Sequence, residues 1–454
     1  MIQRFLSHTL LLILSAFLLP GTAGAQSQES GGLPPVQVAS GWKARLYGFV
    51  EFDAVHDSTQ SFPEASLNLP VVPRGIYQGD NGRTQFTAKN SRIGLVLEAP
   101  AFGSIRPSGQ INFDFFGNQP TEVTENDFYV VGTMRLRHAF LKLATPVVDL
   151  LAGQHPTLFG WGGAGFYPGT VAFLGTVGQV YHHDAQLRLS KQIGDRFFIE
   201  PAVAAVRPGQ REAEIPDIEG GMRLAHRGRI GRTIQGNDRP ETVPLSVGVS
   251  GMWRHFAVNE YRELSRQAKK TTGWGLALNA FLPVIAASDN GDYNNCLTIT
   301  GEFSTGAGVA DRYSGLTGGA RFNALPNPSG TMIPPIYRPN IDNGLVTFDP
   351  DENLKAIHWQ AYIVGAQYYL PFAVPRIWIT GLYAHLESNN LADLTPVSDH
   401  GNIYTRADYI DGSLFVGVTP DVHFGISLQM TEQKRGNGPQ PKNTRVHFAT
   451  NLFF

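Results

Sequence analysis

His182, His183 and Asp184 stand side by side, and imidazole with carboxylate is a donor set for a divalent metal. Adjacent side chains on an extended strand point to opposite faces, so these three do not converge on one ion. No metal and no cofactor are expected. A hydrolase would need a serine activated by a histidine, yet no Gly-x-Ser-x-Gly elbow occurs. His423 with Ser427 and His385 with Ser388 are the pairs at hand. Serines and histidines scattered along a polar wall need no catalytic role, so the chain is not expected to be an enzyme.

The chemistry that the charged residues suit better is passage. They recur at alternate positions of apolar stretches: arginines at 45, 92, 135, 137, 188, 223, 254 and 445, carboxylates at 51, 53, 98, 114, 302 and 411. Rings of such charges on a channel wall set ion preference. By position within their stretches, Arg92, Arg137, Arg188 and Arg223 fall near a membrane midplane in the first half of the chain. Glu302 and Asp411 do so in the second half. Together with Arg45, Arg135 and Asp114 these are the candidate pore-lining and constriction residues. Opposite charges on opposing arcs would make a transverse field, and the excess of central arginine predicts a weak preference for anions.

Such charges need a wall of alternating strands. In residues 44–53, Ala44, Leu46, Gly48, Val50 and Phe52 make one face and Arg45, Tyr47, Phe49, Glu51 and Asp53 the other. The same period recurs near 84–99, 103–117, 134–145, 147–155, 183–193, 196–206, 217–227, 243–256, 273–286, 294–307, 356–370, 375–387, 405–419, 420–433 and 443–454. That gives about sixteen strands, an even number as a bacterial barrel requires. The stretches 134–145 and 217–227 alternate poorly, so fourteen or eighteen stay open.

The connections alternate long and short. Residues 54–83, 118–133, 156–182, 308–355 and 388–404 are long, whereas 100–102, 145–146, 194–195, 371–374 and 419–420 are short. Long extracellular loops and short periplasmic turns give this rhythm. Residues 228–242 are the exception, long where a short turn belongs. The third long loop, 156–182, carries no Asp, Glu, Lys or Arg but a run rich in glycine and aromatics, from Leu158 and Phe159 to Phe166 and Tyr167. That composition suits a loop folded into the barrel. Trp42, Trp253, Trp274 and Tyr369 read as an interfacial girdle.

Composition agrees with strands: 50 Gly, 28 Phe and 15 Tyr against 16% charged residues, with a mean hydropathy of -0.13. A net charge of -2 offers no basic footprint for nucleic acid. Cys296 is the sole cysteine, so no intrachain disulfide forms. At the N-terminus, Arg4, the apolar residues 10–19, the break at Pro20-Gly21 and the small residues Ala23-Gly24-Ala25 form a secretion-signal pattern. The expected organisation is a signal peptide at 1–25, a short periplasmic segment at 26–42 and a transmembrane barrel at 43–454. The last stretch puts Val446, Phe448, Leu452 and Phe454 on one face and Arg445, His447 and Asn451 on the other. Alternation closing on a terminal phenylalanine resembles the strand that the barrel assembly machinery recognises.

Several segments resemble the opening strands of trimeric general porins, and more narrowly the DcaP-like outer-membrane porins of Gram-negative bacteria. They are Tyr47-Gly48-Phe49-Val50-Glu51-Phe52-Asp53, Asn90-Ser91-Arg92-Ile93-Gly94-Leu95 and Leu136-Arg137-His138-Ala139-Phe140-Leu141. The run from Leu150 to Phe159 is similar to that family's fifth strand and entry to its third loop, and Ala213-Glu214-Ile215-Pro216-Asp217 to a later segment. The resemblance implies a sixteen-stranded barrel in the bacterial outer membrane, a homotrimer, a constricting third loop and passive diffusion of small, often carboxylate-bearing solutes. Arg92 and Arg137 match inward arginines of the family. The alternatives are a hydrophobic-solute transporter and a barrel enzyme acting on lipids.

Overall fold

The computed structural model describes residues 33–454, apart from 65–70, 118–131, 162–165, 167–169, 172–175, 211–212, 234–240, 260–267, 289–294, 315–343, 350, 352, 372–375, 396, 398–399, 402 and 439. The secretion-signal pattern lies outside the described residues.

The chain runs through β1 (Val36–Ala39), β2 (Trp42–Asp57), β3 (Arg83–Thr87), β4 (Arg92–Glu98), β5 (Arg106–Asp114), β6 (Arg135–Ala144), β7 (Asp149–Pro156) and β8 (His183–Ser190). It continues as β9 (Phe197–Val206), β10 (Asp217–Thr233), β11 (Glu241–Asn259), β12 (Ala268–Ile285) and β13 (Cys296–Ala307). A small separate hairpin, β14 (Val346–Phe348) with β15 (Leu354–Ala356), follows. The wall resumes with β16 (His358–Tyr369), β17 (Arg376–Ser388), β18 (Tyr404–Gly417), β19 (Val422–Arg435) and β20 (Lys442–Phe453).

Each wall strand pairs antiparallel with the next, and β20 closes on β2 from Phe49↔Phe453 to Asp57↔Arg445. Two backbone hydrogen bonds of 3.0 Å between Gly48 and Phe454 seal the seam. β1 hangs from β2 alone, and β3 and β4 are halves of one strand, both paired with β2. Sixteen strands therefore make the closed wall, the number that the alternation predicts.

The faces are inverted relative to a water-soluble protein. Val50, Phe52, Leu187, Val364, Leu428 and Leu452 are exposed on the outside. Glu51, Asp53, Asn112, Asn279, Gln367 and Asn451 are buried on the inside. A closed ring has no unpaired edge, which is the condition for crossing lipid as strands. No helix among the described residues is long and apolar enough to cross a membrane.

Two expectations are corrected here. Residues 228–242 are not a long turn: β10 and β11 extend through most of them and pair from Ile230↔Pro244 to Thr233↔Glu241. Tyr369 is not a girdle residue but points inward, 3% exposed and stacked on Trp378 with centroids 5.5 Å apart. Trp42, Trp253 and Trp274 do lie exposed on the outside.

Candidate functional site

The lumen is shaped first by the loop between β7 and β8. Its backbone leaves the wall at Pro156 and is caught by inward-facing side chains. Leu158 N and Phe159 N donate to Glu219 Oε2 at 2.7 and 2.9 Å, and Gly160 N donates to Ser250 Oγ at 2.8 Å. Trp161 Nε1 donates to the Val249 carbonyl at 3.0 Å. Further along, Thr170 Oγ1 donates to Asp411 Oδ2 at 2.7 Å and Val180 N to Glu302 Oε1 at 2.8 Å. The loop thus touches the inner face from β10 round to β18.

Glycines on the wall make this close approach possible. A Cβ on Gly248 would lie 2.8 Å from Trp161 Cδ1, and one on Gly275 2.8 Å from Phe159 Cζ. Leu158, Trp161 and Phe166 pack with Ala204, Val206 and Phe281, while Val171 packs with Trp378 and Phe415. The apolar character of Leu158, Trp161, Phe166 and Val171 is explained by this bed: side chains that lie against apolar wall are apolar.

A second segment, just after β13, is tied to the loop. Gly178 N donates to Ser314 O at 2.8 Å, Ser314 N to Gln179 O at 2.9 Å and Tyr181 N to Arg312 O at 3.0 Å. This segment is held by buried charges. Arg312 donates to Asp184 Oδ2 and Asp217 Oδ2, both at 2.9 Å. Arg254 donates to Asp217 Oδ2 at 2.7 Å and to Asp311 Oδ1 at 2.6 Å. Burial alone would push the Asp311 carboxyl up, but the guanidiniums of Arg254 and Arg312 outweigh it and hold it well below the usual carboxylate range. His182 Nε2 lies 2.9 Å from Asp184 Oδ2, whereas His183 stacks on His138 with centroids 5.0 Å apart.

The candidate lumen charges sort by their partners. Arg135 and Arg137 share Asp114, at 2.5 and 3.1 Å, and Arg137 Nη2 also donates to Tyr181 Oη at 2.6 Å. Arg92 sits one strand away with its guanidinium 5.0 Å from the Phe49 ring centroid. Among the described residues, Arg92, Arg135, Arg137 and Asp114 therefore share one patch on β4, β5 and β6. Arg188 donates to Pro156 O and Gln186 Oε1, and Arg223 pairs with Glu200 at 2.6 Å. Arg45 lies half-buried on β2, in register with Val96. Glu302 and Asp411 are turned to the third loop. Asp411 also accepts from Tyr409 and Ser413, and Glu302 from Asn279.

Glu219, Asp217, Asp311 and Arg312 escape the sequence reading. Parity alone places Asp217, Glu219 and Arg223 on one face, but Gly220-Gly221 carries no side chain and hides the alternation between them. The two serine–histidine pairs are engaged elsewhere. Ser427 Oγ accepts from Gln429 Nε2, and Ser388 Oγ donates to the His358 carbonyl.

Removing the Glu219 carboxylate tests the loop's seat. Glu219→Ala leaves two buried amides without their acceptor, at about 1–3 kcal/mol for each unsatisfied group. The loop should loosen, raising single-channel conductance and open-state noise while the barrel still migrates as a folded, heat-modifiable species. Currents identical to those of the parent would show that the loop is seated by its aromatics alone.

No family model matches the chain, and no curated protein sequence does. Solved structures do. The outer membrane channel DcaP of Acinetobacter baumannii superposes with a TM-score of 0.66 at 17% identity, covering 93% of this chain and 100% of that one. An anion-selective porin from Comamonas acidovorans gives 0.49 at 10% identity, with 91% and 100% covered. OprB of Pseudomonas putida gives 0.48 at 11% identity, with 91% and 94% covered. The first of these matches, at the level of fold, the family resemblance carried by the opening strands. The apolar exterior, polar interior and sixteen-strand closure are thus those of the DcaP channel's fold, and the chain has the porin fold.

Proposed function

We propose that this protein is a passive diffusion channel of the bacterial outer membrane. It admits small hydrophilic solutes and favours anions such as small carboxylates. The observation that carries this reading is the inward patch of Arg92, Arg135 and Arg137 with Asp114, beside the point where the third loop returns to the wall at Tyr181. Guanidiniums clustered on one arc of the wall favour anions, and planar guanidinium forks suit carboxylate geometry. Filtration needs no energy input and no covalent step. Assembly as a homotrimer, and recognition of the Phe454 end by the barrel assembly machinery, belong to the same proposal.

The test is a planar bilayer recording under a salt gradient. The parent protein is expected to show current steps in threes and a reversal potential on the anion side. Arg92→Ala/Arg135→Ala removes two of the patch's guanidiniums, so the reversal potential should move toward that of a channel with no preference. An unmoved potential would place selectivity elsewhere on the wall.

A further inference from the structure

The β10–β11 hairpin does not stay in the wall. The β9–β10 ladder ends at Phe197↔His226, and the β11–β12 ladder begins only at Ser246↔Phe281. Between these points β10 and β11 pair with each other alone, and the register jumps between His226 and Ile230. After that jump the described residues 230–233 and 241–245 lie against strands to which they are not laddered. Ala287 N donates to Ile230 O at 2.9 Å. Arg229 clamps the rim through Nε to Pro283 O and Nη2 to Val284 O, both at 2.6 Å. A Cβ on Gly231 would lie 2.6 Å from Thr298 Oγ1 and 3.0 Å from Phe281 Cε1. Gln367 Nε2, on β16, reaches Thr233 Oγ1 at 3.5 Å.

Neighbouring strands are about 4.8 Å apart, so β16, four strands along the wall, is roughly 19 Å from β10. A residue of β10 reaches it only by crossing the inside of the barrel. Thr298, Phe281 and Gln367 are inward-facing and buried, as are Gly231, Arg232 and Thr233. β10 descends toward the rim of short turns, which is the periplasmic rim in barrels of this kind. The hairpin therefore lies across the lumen floor, where it meets the third loop from below. Val243 clusters with Trp161, Phe166 and Phe281, and Ile230 packs on the cluster of Val171, Cys296, Trp378 and Phe415.

We propose that the inward stretches 230–233 and 241–245 form a second, fixed constriction at the periplasmic end. It is an exit filter that limits solute size in addition to the third loop. The proposal rests on the channel reading. It also gives the anomalous length of 228–242 a function: a turn that only joins two wall strands needs no such length, whereas an inward arm does.

Cys296 is a native reporter, fully buried beneath the hairpin on the inner face of β13. Two variants of the full chain test the proposal. In one, residues 228–243 are replaced by Asn-Gly, a turn that suits a two-residue hairpin. In the other, Gly231→Val forces the hairpin off Thr298 and Phe281. Both are expected to raise single-channel conductance several-fold and to admit larger neutral polyethylene glycols. In both, Cys296 should react with a small methanethiosulfonate reagent, whereas in the parent, where it is buried, it should not. Parental conductance in both folded variants overturns the exit filter, as does a Cys296 equally reactive in parent and shortened chain. If the parent conducts nothing, yet Cys296 becomes reactive only in the variants, the channel reading falls and the hairpin's cover of the lumen stands.

Discussion

Leu95→Arg should destabilise the folded barrel by about 2–4 kcal/mol, whereas Val96→Arg should cost far less and shift the reversal potential instead. The two positions are neighbours on β4, and the register separates them. Leu95 lies across from Leu46 on one side and Ile111 on the other, and both are exposed on the apolar exterior. Val96 lies across from Arg45 and Gln110, which belong to the inner face. Arginine on the exterior at midplane must bring a guanidinium into hydrocarbon, where neither water nor a partner satisfies it. Arginine at 96 joins a polar wall beside Arg45 and adds one more cation to the arc that holds Arg92, Arg135 and Arg137. The measurement is unfolding in lipid by denaturant for both variants, paired with their reversal potentials. Equal destabilisation of the two would mean that the register between β2, β4 and β5 is wrong.

That register was legible in the sequence because a strand buried on one side and wetted on the other must alternate with period two. The wall of sixteen strands, the closing phenylalanine strand and the long third loop all follow from that single constraint. The stretches that resist it are those where local geometry breaks the period. In β6 the register jumps opposite Asn112 and Phe113, and Arg137 is the extra residue, so Arg137 and His138 both turn inward. A bulge of this kind shifts parity by one, and composition carries no sign of it. In β10 the parity is intact, but Gly220-Gly221 leaves two positions blank.

The site was less legible than the wall. Parity identifies inward charges but not their partners, because partners come from strands distant in sequence. Glu302 and Asp411 look like free acids of a lumen field when read one strand at a time. In the folded protein they accept hydrogen bonds from Val180 and Thr170 of the third loop. Glycines are the counterpart of this. Glycine weakens a strand interior, yet Gly248 and Gly275 are each the space that an aromatic of the third loop occupies. The one irregularity that the loop rhythm exposed, 228–242, does mark a real departure of β10 and β11 from the wall.

Arg312→Ala should be the most damaging single change inside the lumen, at about 3–5 kcal/mol, because it strands buried carboxylates without their counter-charge. Arg312 has no exposed side-chain surface and faces Asp184 and Asp217 at 2.9 Å, Asp311 at 3.7 Å and Glu219 at 3.9 Å. Arg254 remains in the variant and still pairs with Asp217 and Asp311. Asp184 keeps only His182 and the largely exposed Arg207. Lysine is a poor replacement, since one ammonium cannot reproduce a planar fork that reaches two carboxylates with separate nitrogens. The sign of the pH dependence follows from Asp311. Its folded-state carboxyl is depressed, so the stability it contributes is full above the ordinary carboxylate range and is lost as pH falls through the folded value. Removing Arg312 takes away part of that depression. The variant's deficit relative to the parent should therefore be greatest near pH 7 and shrink as the carboxylates protonate below about pH 4. Denaturant unfolding of both proteins in lipid across that range reads the difference directly. A deficit that stays constant with pH would show that Arg312 acts by filling space, and that charge does not hold the segment after β13 against the wall.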